Sequence, residues 1–236
     1  MKIQAIKTKI FKENDDLIYF IINNSPKISN NDILVVTSKI VSLSEGRTAI
    51  YKNEKELEKI IIKESQFAMK TKLVWLTIKD NMVLASAGID KSNADGKIIL
   101  LPRDSYNSAK IIRKFLMKHH GLNNLGVIVS DSRTLPLRAG IVGIAVGYAG
   151  FNGLRSYKGK KDLFGRKLHF SRTDVADSLA TSAVLLMGEG NECQPLAIIK
   201  DAPVIFTNKS NRKELDIEIK EDMYQPLFEK IKKIKY

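Results

Sequence analysis

Residues 125–151 read LGVIVSDSRTLPLRAGIVGIAVGYAGF, and this stretch decides the fold. The apolar run Val127-Ile128-Val129 has the length and β-branched composition of a buried strand. It meets a carboxylate and a hydroxyl side by side, Asp131 and Ser132. A basic turn with Arg133, Pro136 and Arg138 follows, and then a second β run with glycines at 140, 143, 147 and 150. An Asp at the mouth of a buried strand, across a short turn from arginines, suits a metal and a phosphate. An isolated Asp more often caps a turn, so chemistry here requires partners elsewhere in the chain.

Two such partners lie in other loops. Residues 87–93 (AGIDKSN) offer Asp90 and Asn93, hard oxygen ligands of the kind Mg²⁺ and Mn²⁺ select, or else a plain Asx-turn. Residues 175–187 form an apolar helix that is buried on most sides, capped by Thr173 with Asp174 and Asp177 in its first turn. It runs into Gly188-Glu189-Gly190-Asn191-Glu192, a helix stop that can also supply the Glu189 carboxylate. If the loops converge, Asp90, Asp131 and Glu189 make an oxygen-rich pocket for one or two divalent ions. A ring of Lys39, Arg138, Lys160 and Lys161 would then hold phosphates.

The remaining chain reads as strands and helices in mixed order. Residues 2–6 are a short strand, 17–22 open a helix and 32–37 (DILVVT) are a strand. Residues 38–47 (SKIVSLSEGR) read as a polar, basic segment closing on Gly46, fit for phosphate contact or a solvated turn. Asn53 and Glu56 form a capping box for a helix carrying Leu57, Ile60 and Ile61, its apolar face extended by Phe67 and Ala68. Residues 74–78 and 82–85 pair as a hairpin through Lys79-Asp80-Asn81. Residues 98–101 are a strand, and Asn107 or Ser108 caps a helix that stops at Gly121. Residues 158–166 make a basic loop that lacks Walker spacing. Two short strands, 195–200 and 203–207, precede a charged tail whose final helix holds Leu227, Phe228, Ile231 and Ile234.

Length and composition bound the function. The 236 residues suit one compact domain, or two intimate lobes, with a substantial core. The single cysteine, Cys193, excludes an intrachain disulfide and suits a reducing interior. No apolar run approaches the roughly 18 residues of a membrane helix. With no leader pattern either, a cytoplasmic protein without membrane partners is expected. The net charge of +13 raises a rival reading, a non-enzymatic basic nucleic-acid-binding module. Its lysines are scattered, however, and no zinc-finger, basic-zipper or RNA-binding signature is present, so no nucleic-acid partner is expected.

Five segments, in order and at matching spacing, give the chain a specific likeness. They are DILVVTSKIVSLSEGR (32–47), AGIDKSN (87–93), VIVSDS with the later Arg138-Ala139-Gly140 (127–140), GKKDLFGRKL (159–168) and VADSLATSAVLLMGEG (175–190). Through them the chain resembles the coenzyme F420-0:L-glutamate ligase family over nearly its full length. The resemblance implies an α+β fold of mixed sheets with packed helices, one such domain over 1–236, working as an intertwined homodimer. It implies a GTP-dependent ligase using Mg²⁺ or Mn²⁺ at two sites, which joins L-glutamate to a carboxylate of an F420-0-like cofactor through an acyl phosphate. By motif, Asp90 and Asp131 match the ligands of one metal. Ser132, where the family usually has Thr, and Glu189 match those of the second. Asn93 and the loop Met187, Gly188, Glu189, Gly190, Asn191, Glu192, Cys193 and Gln194 match nucleotide contacts. Lys9, Ile10, Phe11 and Lys12 match an N-terminal nucleotide-binding segment. Lys39 joins the nucleotide set, and Asp131 and Arg138 are the candidate catalytic pair.

Two departures bear on the acceptor. The family usually carries Lys where this chain has Leu43, and Gly-Arg where it has Thr134-Leu135. Lys39 and Arg133 would compensate for the lost basic residues, or the acceptor has changed. A tetrahydrofolate acceptor on the same scaffold is the closest alternative.

Overall fold

The computed structural model describes residues 1–209 and 211–228. Strand β1 (Lys2–Ile6) leads to helix α1 (Leu17–Asn24), whose cap is Asp16 accepting from the Tyr19 N–H. Strand β2 (Ile33–Thr37) passes without a break into helix α2 (Ser38–Ser44). The segment read as an open polar stretch is therefore helical over its first seven residues. Ile40 and Val41 explain the correction, because both are buried in the main core and their burial outweighs the polar neighbours.

Strand β3 (Thr48–Ala49) is followed by helix α3 (Glu54–Lys63). Asn53 Oδ1 accepts from the Glu56 N–H at 3.1 Å and Glu56 Oε2 from the Lys52 N–H at 2.7 Å, so the expected cap forms. The helix does not extend its face to Phe67 and Ala68. Those residues open strand β4 (Phe67–Lys70), which pairs with β5 (Trp75–Lys79). Strand β6 (Met82–Ala85) completes this small sheet as the expected hairpin partner of β5. Its turn residues Asp80 and Asn81 both take positive φ, the geometry a tight two-residue turn demands.

Strand β7 (Ile98–Ile99) pairs with β3. Helix α4 (Ser105–His120) starts earlier than expected, because Asp104 rather than Asn107 or Ser108 caps it, accepting from the Asn107 N–H. It ends at Gly121 in the left-handed region, as read from the sequence. Strands β8 (Gly126–Thr134) and β9 (Ile141–Ala149) form the central hairpin. Strands β10 (Leu154–Ser156) and β11 (Arg172–Asp174) flank the basic loop. Helix α5 (Val175–Met187) is capped by Asp174, one residue after the expected Thr173. Strand β12 (Leu196–Lys200) follows, but residues 203–207 give only a bridge from Phe206 to Phe151. Pro203 there has no N–H to place in a ladder. Helix α6 (Gln225–Phe228) contains Leu227 and Phe228 of the expected last helix, whose Ile231 and Ile234 lie outside the described residues.

The main sheet runs β1-β12-β2-β8-β9, with β2 and β8 parallel and every other neighbour antiparallel. Alternation along the strands builds two cores. Leu34, Val36, Val127 and Val129 face α1, α2 and α4. Ile33, Val35, Ile128 and Ala145 face α5 through Ala176, Leu179, Ala180 and Ala183. The sheet is thus covered on both faces, and its mixed order with three smaller sheets makes the protein a mixed α+β fold. Among the described residues, no helix is long and apolar enough to cross a membrane.

Candidate functional site

The parallel pair β2–β8 places Thr37 beside Ser130 at a cavity of about 610 Å³, where β2 ends; β8 runs on to Thr134, so Asp131 and Ser132 lie within the strand rather than at its mouth as expected. Ligands favour this position because strand ends there are bracketed by loops free to vary. Val35 and Ile128 lie on the α5 face, so two residues further along Thr37 and Ser130 continue that face. Asp131 pairs with Ile144 and takes the opposite face, where Ile144 joins the α1–α2–α4 core. The cavity wraps round the strand end and is lined from both sides.

Four distant segments meet here. Ser132 Oγ donates to Glu189 Oε1 at 2.5 Å, joining β8 to the loop after α5. Lys39, the second residue of α2, lies 2.7 Å through Nζ from Asp90 Oδ2 and donates to Ser92 Oγ at 3.1 Å. Asn93 Nδ2 donates to the Gly190 carbonyl at 3.3 Å, linking the Asp90 loop to the loop after α5.

The charges of these groups reach one another. Asp131 keeps some surface open to the cavity, but protein atoms surround its carboxyl. Burial pushes it up to about 7; the Asp90 and Glu189 charges push the same way, against the Ser132 N–H and Lys39. Burial also opposes ionisation of Asp90, but the Lys39 ammonium and the Ser92 N–H outweigh it and hold that carboxyl below the usual range.

The cavity lining includes Lys9, Ile10, Phe11, Lys39, Asp90, Asn93, Asp131, Ser132 and the whole run 187–194. Lys12, Arg138, Lys160 and Lys161 are not in it, so one chain does not close the expected basic ring. Arg138 sits exposed in the β8–β9 turn, while Lys160 and Lys161 sit in the β10–β11 loop. Beyond Ser132 the chain leaves this cavity, and Arg133 to Pro136 line a second one of about 940 Å³. Arg133 lines that one and pairs with Asp177 at 3.2 Å, so it does not stand in for a lost cavity cation. There, burial and the Asp177 charge push Asp174 up to about 6.

Sequence reading missed Thr37, Ser38 and Ser130 in the wall. Ser130 is 1% exposed and its hydroxyl has no hydrogen-bond partner among the described residues. A hydroxyl interrupting an apolar strand just before Asp131 was the available signal.

Among the described residues, no three His, Cys, Asp or Glu side chains are drawn together tightly enough to hold a metal ion as they stand. The chemistry of the donor set nevertheless fits a hard divalent cation. Asp90, Asp131, Ser132 and Glu189 supply only oxygens, and burial first, with the Asp90 and Glu189 charges behind it, raises Asp131 in a way that a cation would relieve.

The profile of the family described as F420-0:Gamma-glutamyl ligase matches residues 5–201, which contain the whole cavity lining. Coenzyme F420:L-glutamate ligase of Methanococcus maripaludis (strain C7) is 33% identical, covering 95% of this chain and 97% of that protein. The protein of that name from Methanocaldococcus jannaschii is 33% identical over 90% and 92%. The one from Methanothermobacter thermautotrophicus is 35% identical over 80% and 84%. By class the chain is an amino-acid ligase. It belongs to the F420-0:gamma-glutamyl ligase family.

Proposed function

We propose that the chain uses GTP and a divalent cation, Mg²⁺ or Mn²⁺, to join the amino group of L-glutamate to a carboxylate of an F420-0-like acceptor. The observation that carries this reading is the meeting of Asp90, Asp131, Ser132 and Glu189 in one cavity of a chain from this family. Asp90 with Asp131, and Ser132 with Glu189, would hold the two cations. Bound there, such cations screen the approach of two anions and polarise the transferring phosphoryl group.

The chain's own residues do the rest. The loop 187–194, tied to Asn93 and Ser132, grips the nucleotide, and Lys39 answers phosphate charge. An acceptor carboxylate oxygen attacks the γ-phosphorus, the bond to the bridging oxygen breaks, and GDP leaves. The glutamate nitrogen then attacks the acyl carbon of that acyl phosphate, loses a proton, and inorganic phosphate departs. The apolar walls at Ile10, Phe11, Ile99 and Leu101 exclude water, which would otherwise hydrolyse the activated acyl group.

The active species is a homodimer in this reading. Supporting it are fully exposed apolar side chains beside the missing basic residues. Leu137 adjoins Arg138, and Leu163 and Phe164 follow Lys160 and Lys161. A partner's basic loops would complete the phosphate-binding ring.

A tetrahydrofolate acceptor is the second reading. Leu43 favours it, because an apolar side chain lines the cavity where a basic one is expected. Mass spectrometry after incubation with Mn²⁺, GTP, L-glutamate and each acceptor tests both. A product one glutamate heavier identifies the acceptor. GTP turnover with no ligated product from either removes the ligase reading.

A further inference from the structure

Both carboxylate oxygens of Asp90 are engaged. Oδ1 accepts from the Ser92 N–H at 2.6 Å, and Oδ2 lies 2.7 Å from Lys39 Nζ. Lys39 has its backbone fixed at the start of α2, directly beyond β2. Its stem is flexible, and its side chain keeps 27% of its surface open to the cavity it shares with Asp131 and Glu189. An ammonium and a divalent cation repel at contact distance, and both are drawn to the same oxygen of Asp90. Seating both on Asp90 Oδ2 brings two positive charges close together, and moving the ammonium away relieves that repulsion.

We propose that Lys39 and the divalent cation compete for Asp90, so that cation binding expels the ammonium and turns it toward phosphate in the same cavity. The inference rests on the cation and nucleotide reading above and adds a sequence of events to it. Before loading, Lys39 holds the Asp90 loop in place and offsets part of the carboxylate repulsion. On loading, the same side chain moves from a structural ion pair to a ligand contact. Linkage makes the effect reciprocal: a phosphate that draws Lys39 away from Asp90 also strengthens cation binding. Lys39 is thus a positioning residue that couples two ligands which need not touch.

The test is Mn²⁺ binding to the full chain without nucleotide, followed by calorimetry and by the paramagnetic signal of free Mn²⁺. Lys39→Met should bind Mn²⁺ roughly 5-fold or more tighter than wild type, the lower end of typical coupling between sites. Lys39→Gln, which keeps a polar stem, should shift the same way and guards against a folding defect in the first variant. Lys9→Met is the control for general charge, because Lys9 lines the cavity without pairing to Asp90. It should change affinity by less than about twofold, as a screened exposed charge does. Equal gains in the Lys9 and Lys39 variants would overturn the competition. So would Lys39 variants no tighter than wild type while Asp131→Asn still abolishes binding. Wild-type Mn²⁺ binding that Asp131→Asn leaves untouched would instead overturn the cation reading beneath it.

Discussion

Ser132 Oγ reaches Glu189 Oε1 at 2.5 Å across 57 residues of sequence, and this contact closes β8 onto the loop that follows α5. It lies at the cavity mouth, beside the Asp131 carboxyl that the Ser132 N–H also contacts at 2.8 Å. One residue therefore steadies two of the three carboxylates.

Ser132→Ala should cut ligation roughly 10- to 100-fold, the range seen when a group orienting metal ligands is lost. The bond is exposed, so the melting temperature should shift by no more than about 2 °C. Ser132→Thr, which keeps the hydroxyl, should restore most of the activity. Steady-state product formation beside a thermal melt checks this, and an alanine variant of full activity would remove Ser132 from the site.

Asp131→Asn should lower turnover by about 100-fold or more without lowering stability. The charge it removes is crowded by burial and by Asp90 and Glu189. Neutralising a repelled carboxylate relieves strain in the fold rather than creating it. Calorimetric melting of both proteins without ligand decides the stability half, with the variant expected at or above wild type.

Glu64 governs a separate, acid-sensitive part of stability. Its carboxylate accepts from Arg47 at 2.7 Å and Lys79 at 2.6 Å, and its side chain is 15% exposed. Burial pushes the group up, but the two cations outweigh it and hold it below its ordinary 4.5. A lowered folded value stabilises the protein above the ordinary value, and that stability is lost as pH falls through the folded value. Glu64→Gln should therefore cost up to about 3 kcal/mol at pH 7, with the difference shrinking toward pH 3. Urea denaturation across that range reads it directly; a gap independent of pH would show that packing, not charge, carries the effect.

Gly147 permits the closest approach of β9 to the start of α4. A Cβ there would stand 2.4 Å from the Ser105 carbonyl carbon and 2.5 Å from its oxygen. Backbone cannot rotate aside as a side chain can, so Gly147→Ala should destabilise the fold by about 1–3 kcal/mol. A denaturant midpoint equal to wild type would mean that α4 shifts freely on the sheet.

Much of the secondary structure was legible because its causes are local. The Asp80-Asn81 turn, the Asn53 cap and the Gly121 stop each depend on residues within a few positions. The misread elements were those where tertiary burial overrode local polarity. Helix α2 looked like a solvated segment, yet Ile40 and Val41 are drawn into the main core. Phe67 continued the apolar spacing of α3, but pairing with Ile78 claimed it for a strand. In the candidate site the acidic residues were conspicuous beside apolar runs, although Asp131 proves to be paired within β8 rather than at its end. Ser130 was overlooked because its significance lies in a buried hydroxyl that finds no partner among the described residues.

By itself the sequence determined the two β runs of the β8–β9 hairpin, the Asn53 cap, the Gly121 stop and the juxtaposition of Asp131 and Ser132 after an apolar run. These follow from side-chain periodicity and hydrogen bonds that act over a few residues. Only the tertiary structure decided that Lys39 holds Asp90, that Ser132 holds Glu189, and that Arg138, Lys160 and Lys161 stay off the cavity wall of their own chain. Those outcomes depend on the sheet order β1-β12-β2-β8-β9, which sets β2 beside β8 although nearly ninety residues separate them. A charged side chain finds its partner only after the backbones have packed, and no local pattern encodes that choice.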